Sequence, residues 1–171
     1  MEPYFKNNAI WEKYLRVIHS WKDTPFRHMK MEKGRGADCM MFIGGTWIEM
    51  GILQKAEFEY YPRDWPHNDN KEVLLEYAEH HIRNCLCPGF LIERYSLQSL
   101  AREYEPMRGD VITYATVRKA DKSKIVTNHS GLYIGENQQM MTIEKIGVHV
   151  TTYTNWWKRI QTYAFRVFKE S

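Results

Sequence analysis

The chain has 171 residues, of which 43% are hydrophobic and 26% are charged, a composition typical of a globular domain with a full hydrophobic core. The formal net charge of +3 is small and no concentrated Lys/Arg tract is present, so nucleic-acid binding is not indicated. No apolar run approaches the length of a membrane span, and the N-terminal residues lack the pattern of a signal peptide. We therefore expect a single domain over residues 1–171, synthesised in the cytoplasm.

Helical periodicity dominates the first part of the chain, and strand patterns dominate the last part. The pattern predicts helices at residues 8–20, 38–50, 70–85 and 96–104. Strands are predicted at residues 110–117, 128–135, 138–145, 147–153 and 163–168. Helices followed by an antiparallel meander predict an α+β fold. Gly44 and Gly45, inside the second helix, predict that another backbone packs closely against it.

The three cysteines are Cys39, Cys85 and Cys87. An odd number without a regular framework argues against a disulfide-stapled secreted domain. Cys85 and Cys87 have no second ligand pair at zinc-finger spacing, so we interpret both as structural or incidental and predict no metal site.

Cys39 follows a glycine-punctuated loop and begins the second predicted helix. A helix N-terminus carries partial positive charge and unpaired N–H groups, both of which stabilise a thiolate. A cysteine in this position is therefore a candidate nucleophile. The alternative is that Cys39 is a small buried hydrophobe.

His129 begins a predicted strand and is a candidate general base for Cys39. Strand alternation places His129 and Gly131 on one face of the sheet, and Ser130 and Leu132 on the other. The small Gly131 beside His129 leaves room for a helix end or a substrate. A histidine on a strand is also commonly structural, so the residues alone leave both interpretations open.

Five segments, in order along the chain, resemble the signature of the NlpC-type cell-wall cysteine peptidases. The segments are residues 21–28 (Trp-Lys-Asp-Thr-Pro-Phe-Arg-His), 34–39 (Gly-Arg-Gly-Ala-Asp-Cys), 107–112 (Met-Arg-Gly-Asp-Val-Ile), 128–135 (Asn-His-Ser-Gly-Leu-Tyr-Ile-Gly) and 156–166, with its paired Trp and later Arg. The resemblance extends from about residue 10 to residue 168. It implies a papain-like α+β fold and hydrolysis of an amide in the peptide stem of peptidoglycan, without metal or organic cofactor. Many relatives cut between D-glutamate and a diamino acid.

Two further segments are similar to the branch of this family found in phage tails and gene-transfer particles. They are residues 24–28 (Thr-Pro-Phe-Arg-His) and residues 61–65 (Tyr-Pro-Arg-Asp-Trp). Members of that branch open peptidoglycan locally during DNA delivery. The resemblance thus implies phage tail proteins as partners and incorporation of the chain into a tail or virion.

The resemblance also implies roles for individual residues. Cys39 would attack the carbonyl as a thiolate, and its N–H would serve as the oxyanion donor. His129 would accept a proton and then return it. Asp38 matches the acidic residue that helps relatives bind the free amine of the leading L-alanine of the stem. A helix N-cap is the alternative role for Asp38.

The third polar residue of the family's site is missing from its usual place. Relatives carry His, Asn or Gln there to orient the imidazole, and this position falls on Met141. Gln139 lies on the same strand face and is the expected substitute, with Thr142 as the alternative. Two other hypotheses stay open at this point: a catalytically silent structural component of a tail, and another thiol chemistry such as acyl transfer.

Overall fold

A computed structural model describes residues 1–100, 103–117 and 125–170, which form an antiparallel sheet with helices packed against it. The helices are α1 (Asn8–Ser20), α2 (Cys39–Glu49), α3 (Trp65–Asn68), α4 (Val73–Asn84), α5 (Leu97–Leu100) and α6 (Asn155–Ile160). The strands are β1 (Glu2–Pro3), β2 (Met31–Glu32), β3 (Gly36–Ala37), β4 (Phe90–Ser96), β5 (Val111–Tyr114), β6 (His129–Gly135), β7 (Gln138–Ile143), β8 (Gly147–Thr152) and β9 (Gln161–Lys169).

The main sheet has seven strands within the described residues. Their order is β1-β9-β5-β6-β7-β8, and β4 also pairs with β9. All of these pairs are antiparallel. β2 and β3 form a separate pair directly before α2. The predicted α+β class is confirmed.

Most of the predicted elements are present. The helices predicted at residues 8–20, 38–50 and 70–85 are α1, α2 and α4, and the five predicted strands are β5 to β9, with ends within three residues of those predicted. The helix predicted at residues 96–104 is present only as α5. Of its remaining positions, residue 96 ends β4, residues 101–102 lie outside the described residues and residues 103–104 are not helical.

The sequence does not predict β4 or α6. Along β4 only Ile92 is fully buried, so the strand lacks the apolar alternation that would reveal it. α6 is six residues long and has no fully buried residue, so it lacks an apolar stripe.

The two faces of the sheet pack against different elements. The α2 face carries Val111, Leu132, Met140, Val148 and Phe165, in one core with the apolar residues of α1 and α2. The opposite face, which we call the α6 face, carries Ile112, Tyr114, Met141, Tyr153 and Ala164, with Trp157 of α6 packed against them. A β6 side chain therefore contacts α2 only if it lies on the α2 face of the sheet.

α2 is buried on nearly all sides, and its two glycines explain how closely it is packed. A Cβ on Gly45 would lie 2.4 Å from the Trp21 ring, and one on Gly44 would lie 3.0 Å from the Cβ of Ala56. The prediction of close packing by another backbone is wrong, because two side chains fill the space.

The loop that leads towards α2 is attached to the edge strand β8. The Asp23 N–H donates to the Val148 carbonyl at 2.8 Å, and the Val148 N–H donates to the Thr24 carbonyl at 2.8 Å. This pairing fixes the loop relative to the sheet on which α2 packs.

All three cysteines are free; Cys85 is buried and Cys87 is partly exposed. The described part of the chain contains no group of three or more His, Cys, Asp or Glu residues placed to hold a metal ion. No helix within the described residues is long and apolar enough to cross a membrane.

Candidate active site

Asp38 caps the helix that carries Cys39. Its Oδ1 accepts from the Met41 N–H at 2.9 Å, and its Oδ2 accepts from the Met29 N–H at 2.7 Å. The His28 ring lies 3.8 Å from the same Oδ2. Burial raises the pKa of the Asp38 carboxyl, and the hydrogen bonds from Met41 and Met29 and the nearby His28 oppose that shift. Asp38 therefore acts as an N-cap that also ties the preceding loop to α2, while its role in binding a substrate amine stays a prediction.

The Cys39 thiol begins α2 as expected, but it is covered. Cys39 is 9% exposed and packs in an apolar cluster with Tyr61, Trp65 and Leu74. Burial raises the pKa of the thiol to about 12, and the charge of Asp38 adds to the rise. Hydrogen bonds from Ser130 and from the Met40 backbone lower the pKa but do not offset burial. The helix N-terminus thus does not produce a low-pKa thiolate in this arrangement, and Cys39 is a neutral thiol at pH 7.

His129 lies on the α6 face of the sheet. Its cross-strand partner is Tyr114, and its ring centroid is 6.3 Å from the Tyr114 ring and 5.9 Å from the Trp157 ring. Burial lowers the pKa of His129 to about 4, with a smaller contribution from His149. His129 is therefore a neutral imidazole at pH 7, partly exposed and flanked by two aromatic rings.

Cys39 and His129 are not joined by a hydrogen bond among the described contacts. The alternation of β6, which the sequence predicts, directs Ser130 and not His129 towards α2. Ser130 is buried, its hydroxyl donates to the Met40 Sδ at 3.8 Å, and it hydrogen-bonds Cys39. The described hydrogen bonds of Cys39 are therefore made with Ser130 and the Met40 backbone, and the catalytic pairing of Cys39 with His129 stays a prediction.

Gln139 and Met141 occupy the region expected to orient the imidazole. Both are fully buried, and a Cβ on Gly131 would lie 2.7 Å from the Gln139 Oε1 and 2.9 Å from the Met141 Cε. Gln139 thus shares a face with His129, but its Oε1 accepts from the Tyr114 hydroxyl. Its Nε2 has no hydrogen-bond partner among the described residues. The described contacts connect Gln139 to His129 through the Tyr114 side chain, and a direct orienting role stays a prediction.

Thr142 lies on the other face of β7. Its hydroxyl donates to the Asp38 carbonyl at 3.4 Å, which places it against the start of α2. The alternative that Thr142 orients His129 is wrong, because strand alternation sends the two side chains to opposite faces.

Three residues beside Cys39 were not identified from the sequence as parts of the site: Ser130, Tyr61 and His28. Tyr61 packs on Cys39 and makes an edge-to-face contact with His28, with ring centroids 4.9 Å apart. Of the three, only Ser130 had a signal in the sequence, because the alternation of β6 places it on the opposite face from His129. No local pattern brings residue 61 onto residue 39, because that contact depends on the path of the connection between α2 and α4.

Comparison with solved structures identifies the fold. An NlpC/P60 family protein from Bacillus cereus ATCC 10987 has a TM-score of 0.54 and 17% identity, over 90% of this chain and 38% of that protein. A lipoprotein-like NLP/P60 protein from Staphylococcus aureus subsp. aureus Mu50 has a TM-score of 0.59 and 13% identity, over 99% of this chain and 45% of that protein. The NlpC/p60 domain of the peptidoglycan hydrolase SagA has a TM-score of 0.51 and 13% identity, over 92% of this chain and 97% of that domain.

The chain thus has the fold of NlpC/P60 proteins and spans less than half the length of the first two structures. No family model matches the sequence, and no curated protein matches it. At these identities the likeness establishes the fold, and it assigns no role to individual residues.

Proposed function

We propose that the chain hydrolyses an amide bond in the peptide stem of peptidoglycan, with Cys39 as the nucleophile. The observation that carries this proposal is the position of Cys39 at the first residue of α2, capped by Asp38, in an NlpC/P60 fold. One protein with this fold, SagA, is a peptidoglycan hydrolase. The order of the family-like motifs along the sequence supports the same assignment.

In the proposed reaction Cys39 attacks the stem carbonyl and transfers its proton to His129, which later protonates the leaving amine. The Cys39 N–H at the start of α2 stabilises the oxyanion. Because both groups are neutral at pH 7, the proton moves as the bond forms and no ion pair exists beforehand. Transfer requires the backbone at His129, the first residue of β6, to rearrange so that the ring moves from the α6 face to the start of α2. Gln139 supports the ring indirectly through Tyr114.

The test is incubation of the pure protein with digested muropeptides, with product masses as the readout. We expect cleavage by the wild type and loss of at least 100-fold in rate for Cys39→Ala and for His129→Ala, because nucleophile and base act as a unit. A chelator should leave the rate unchanged. Equal product release by wild type and Cys39→Ala would show that the activity comes from a contaminant.

A second candidate function is that of a silent structural component with the same fold. Two observations favour it: Cys39 is covered and has a raised pKa, and the apolar Met141 occupies the usual third position. Alkylation with iodoacetamide between pH 6 and pH 9 separates the two candidates. A Cys39 that stays unmodified across this range, together with intact muropeptides, supports the structural role.

We propose further that the protein belongs to a phage tail or a related particle. This assignment is supported by the resemblance of residues 24–28 and 61–65 to that branch. Mass spectrometry of purified particles from a strain that carries the gene tests it. Detection of the chain at a fixed ratio to tail proteins is the expected result, and its restriction to the cell lysate contradicts the proposal.

A further inference from the structure

A pocket lies beside Cys39 but is separated from it. The pocket has a volume of about 480 Å³, and its lining includes Tyr61, Trp65 and Tyr77. Cys39 is not part of that lining, although it packs in one apolar cluster with Tyr61 and Trp65. These two aromatic side chains are only 6% and 7% exposed. They therefore form a partition, with the nucleophile on one side and a substrate-sized space on the other.

The partition belongs to residues 57–71, which we call the strap. The first part of the strap is anchored to α4: the Glu57 N–H donates to the His81 Nε2 at 3.0 Å, and the Tyr77 hydroxyl donates to the Glu59 carbonyl at 2.8 Å. Its centre contains only the four-residue helix α3. The strap is thus anchored to α4 at its first residues, and it has little regular secondary structure where it covers Cys39.

Several contacts hold the centre of the strap over Cys39, among them a hydrogen bond between the Tyr61 hydroxyl and the Asp38 side chain and the packing of Tyr61 against the Tyr77 ring. His28 hydrogen-bonds the Tyr61 carbonyl at 2.8 Å. Arg63 pairs with Glu144 in the turn between β7 and β8, and its guanidinium lies 5.0 Å from the Phe26 ring. The paired side chains are 51% and 64% exposed. Solvent screens such a pair, so it stabilises the closed position only weakly and can break without unfolding the domain.

We propose that Tyr61 and Trp65 form a gate over Cys39, that the Arg63–Glu144 ion pair contributes to its closed position, and that opening the gate joins the nucleophile to the pocket. In the closed position no carbonyl can approach the sulfur. In the open position a peptide lying in the pocket reaches Cys39 from the side of the strap. The biological meaning of the gate rests on the proposed hydrolysis, whereas its test measures only access to the thiol.

The experiment compares the rate at which iodoacetamide alkylates Cys39 in the native protein, read from the mass of the Cys39 peptide. Arg63→Glu replaces the attraction to Glu144 by repulsion, and we expect alkylation to become about two- to fivefold faster. The double variant Arg63→Glu with Glu144→Arg restores the pair with reversed charges, and its rate should return towards that of the wild type. Trp65→Ala removes one of the two side chains of the partition. It should accelerate alkylation more than Arg63→Glu or the double variant does.

Two controls separate gate opening from general loosening. Lys6→Glu reverses a charge in the exposed Lys6–Glu2 pair, far from the strap, and should leave the Cys39 rate unchanged. Cys85 is buried outside the strap and should stay protected in every variant. An unchanged Cys39 rate in Arg63→Glu, no rescue by the double variant, or parallel acceleration of Cys39 and Cys85 overturns the proposal. Because no substrate is involved, a protein without hydrolase activity can still pass or fail this test.

Discussion

Two effects of opposite sign act on the Cys39 thiol. The start of α2 supplies N–H groups and a partial positive charge, which lower the pKa of a cysteine. Enclosure by Tyr61 and Trp65 removes water, which raises it, and burial is the larger effect here. The position of the thiol on the helix is local and was predicted from the sequence. Its cover comes from residues more than twenty positions away, and no periodicity reports such a contact.

The alternation of β6 shows how finely the site depends on single positions. Ser130 contacts Cys39, while its neighbour His129 contacts Tyr114 and Trp157 on the other side of the sheet. The sequence predicts that these two residues face opposite ways, but it does not predict which face meets α2. That choice depends on how the sheet packs as a whole.

Gln139 and Tyr114 should be energetically coupled. Both are fully buried, and the Tyr114 hydroxyl donates to the Gln139 Oε1. Tyr114→Phe or Gln139→Leu alone leaves a buried polar group without a partner, and each should lower the free energy of unfolding by about 1–3 kcal/mol. The double variant removes both groups, so it should cost at least about 1 kcal/mol less than the sum of the two. Urea denaturation of the four proteins measures this coupling, and simple additivity would contradict it.

Among the elements, α2 is the one that its own residues specify most completely. Asp38 caps its start, and the chain leaves its end through Gly51, which has a φ of 68°. These signals lie within or next to the helix, so the sequence predicts its bounds. β4 is different, because six of its seven residues are not fully buried and its place is fixed by pairing with β9. Such a strand can be identified from its pairing with a neighbouring strand, but not from its own sequence pattern.

The attachment of β8 to the loop before α2 depends on Gly147. Its φ is 84°, and a Cβ there would lie 2.3 Å from the Thr24 carbonyl oxygen. Gly135 provides a matched control, since its φ is 98° but nothing lies within 4 Å of its Cβ position. We expect Gly135→Ala to lower the free energy of unfolding by about 1–2 kcal/mol through backbone strain alone.

Gly147→Ala should cost about 2 kcal/mol more than Gly135→Ala, because the loop must also move away from β8. Chemical denaturation of the two variants and the wild type gives both values. Equal losses of unfolding free energy in the two variants would mean that the loop can move away from β8 at no energetic cost, and that β8 does not fix the position of the loop.

At the scale of the whole molecule, each strand from β5 to β8 pairs with the next one along the chain, and the turn residues Gly135-Glu136-Asn137 predict the hairpin between β6 and β7. The rest of the sheet is non-local: β9 pairs with β1, β4 and β5, which come from distant parts of the chain. Sequence patterns give the α+β class and the meander, but they contain no information on which earlier strand accepts the last one. For the same reason the two faces of the sheet could not be assigned in advance.

The stability of the whole domain should fall as the solution becomes acidic. Burial lowers the pKa of His129 to about 4 in the folded protein, whereas the unfolded chain binds that proton near pH 6.5. Between these values the unfolded state holds more protons, so stability is lost as pH falls from 6.5 towards 4. Because His129 is partly exposed, we expect a loss of about 1–2 kcal/mol.

Denaturant unfolding at pH 7.0 and pH 5.0 measures this loss. His129→Gln has no titrating ring, so the drop between the two pH values should be smaller in that variant than in the wild type. An equal drop in both proteins would show that other groups account for the acid sensitivity.

The central position of β9 also has a consequence for the order in which the protein is made. On the ribosome, residues 161–169 emerge after every strand with which they pair, so β1, β4 and β5 must wait for them. Until then the sheet that supports α2 is incomplete, and the residues that surround Cys39 in the folded domain are not yet in place. A nascent chain interrupted before residue 161 would therefore be a target for quality-control proteases rather than a weakened form of the protein.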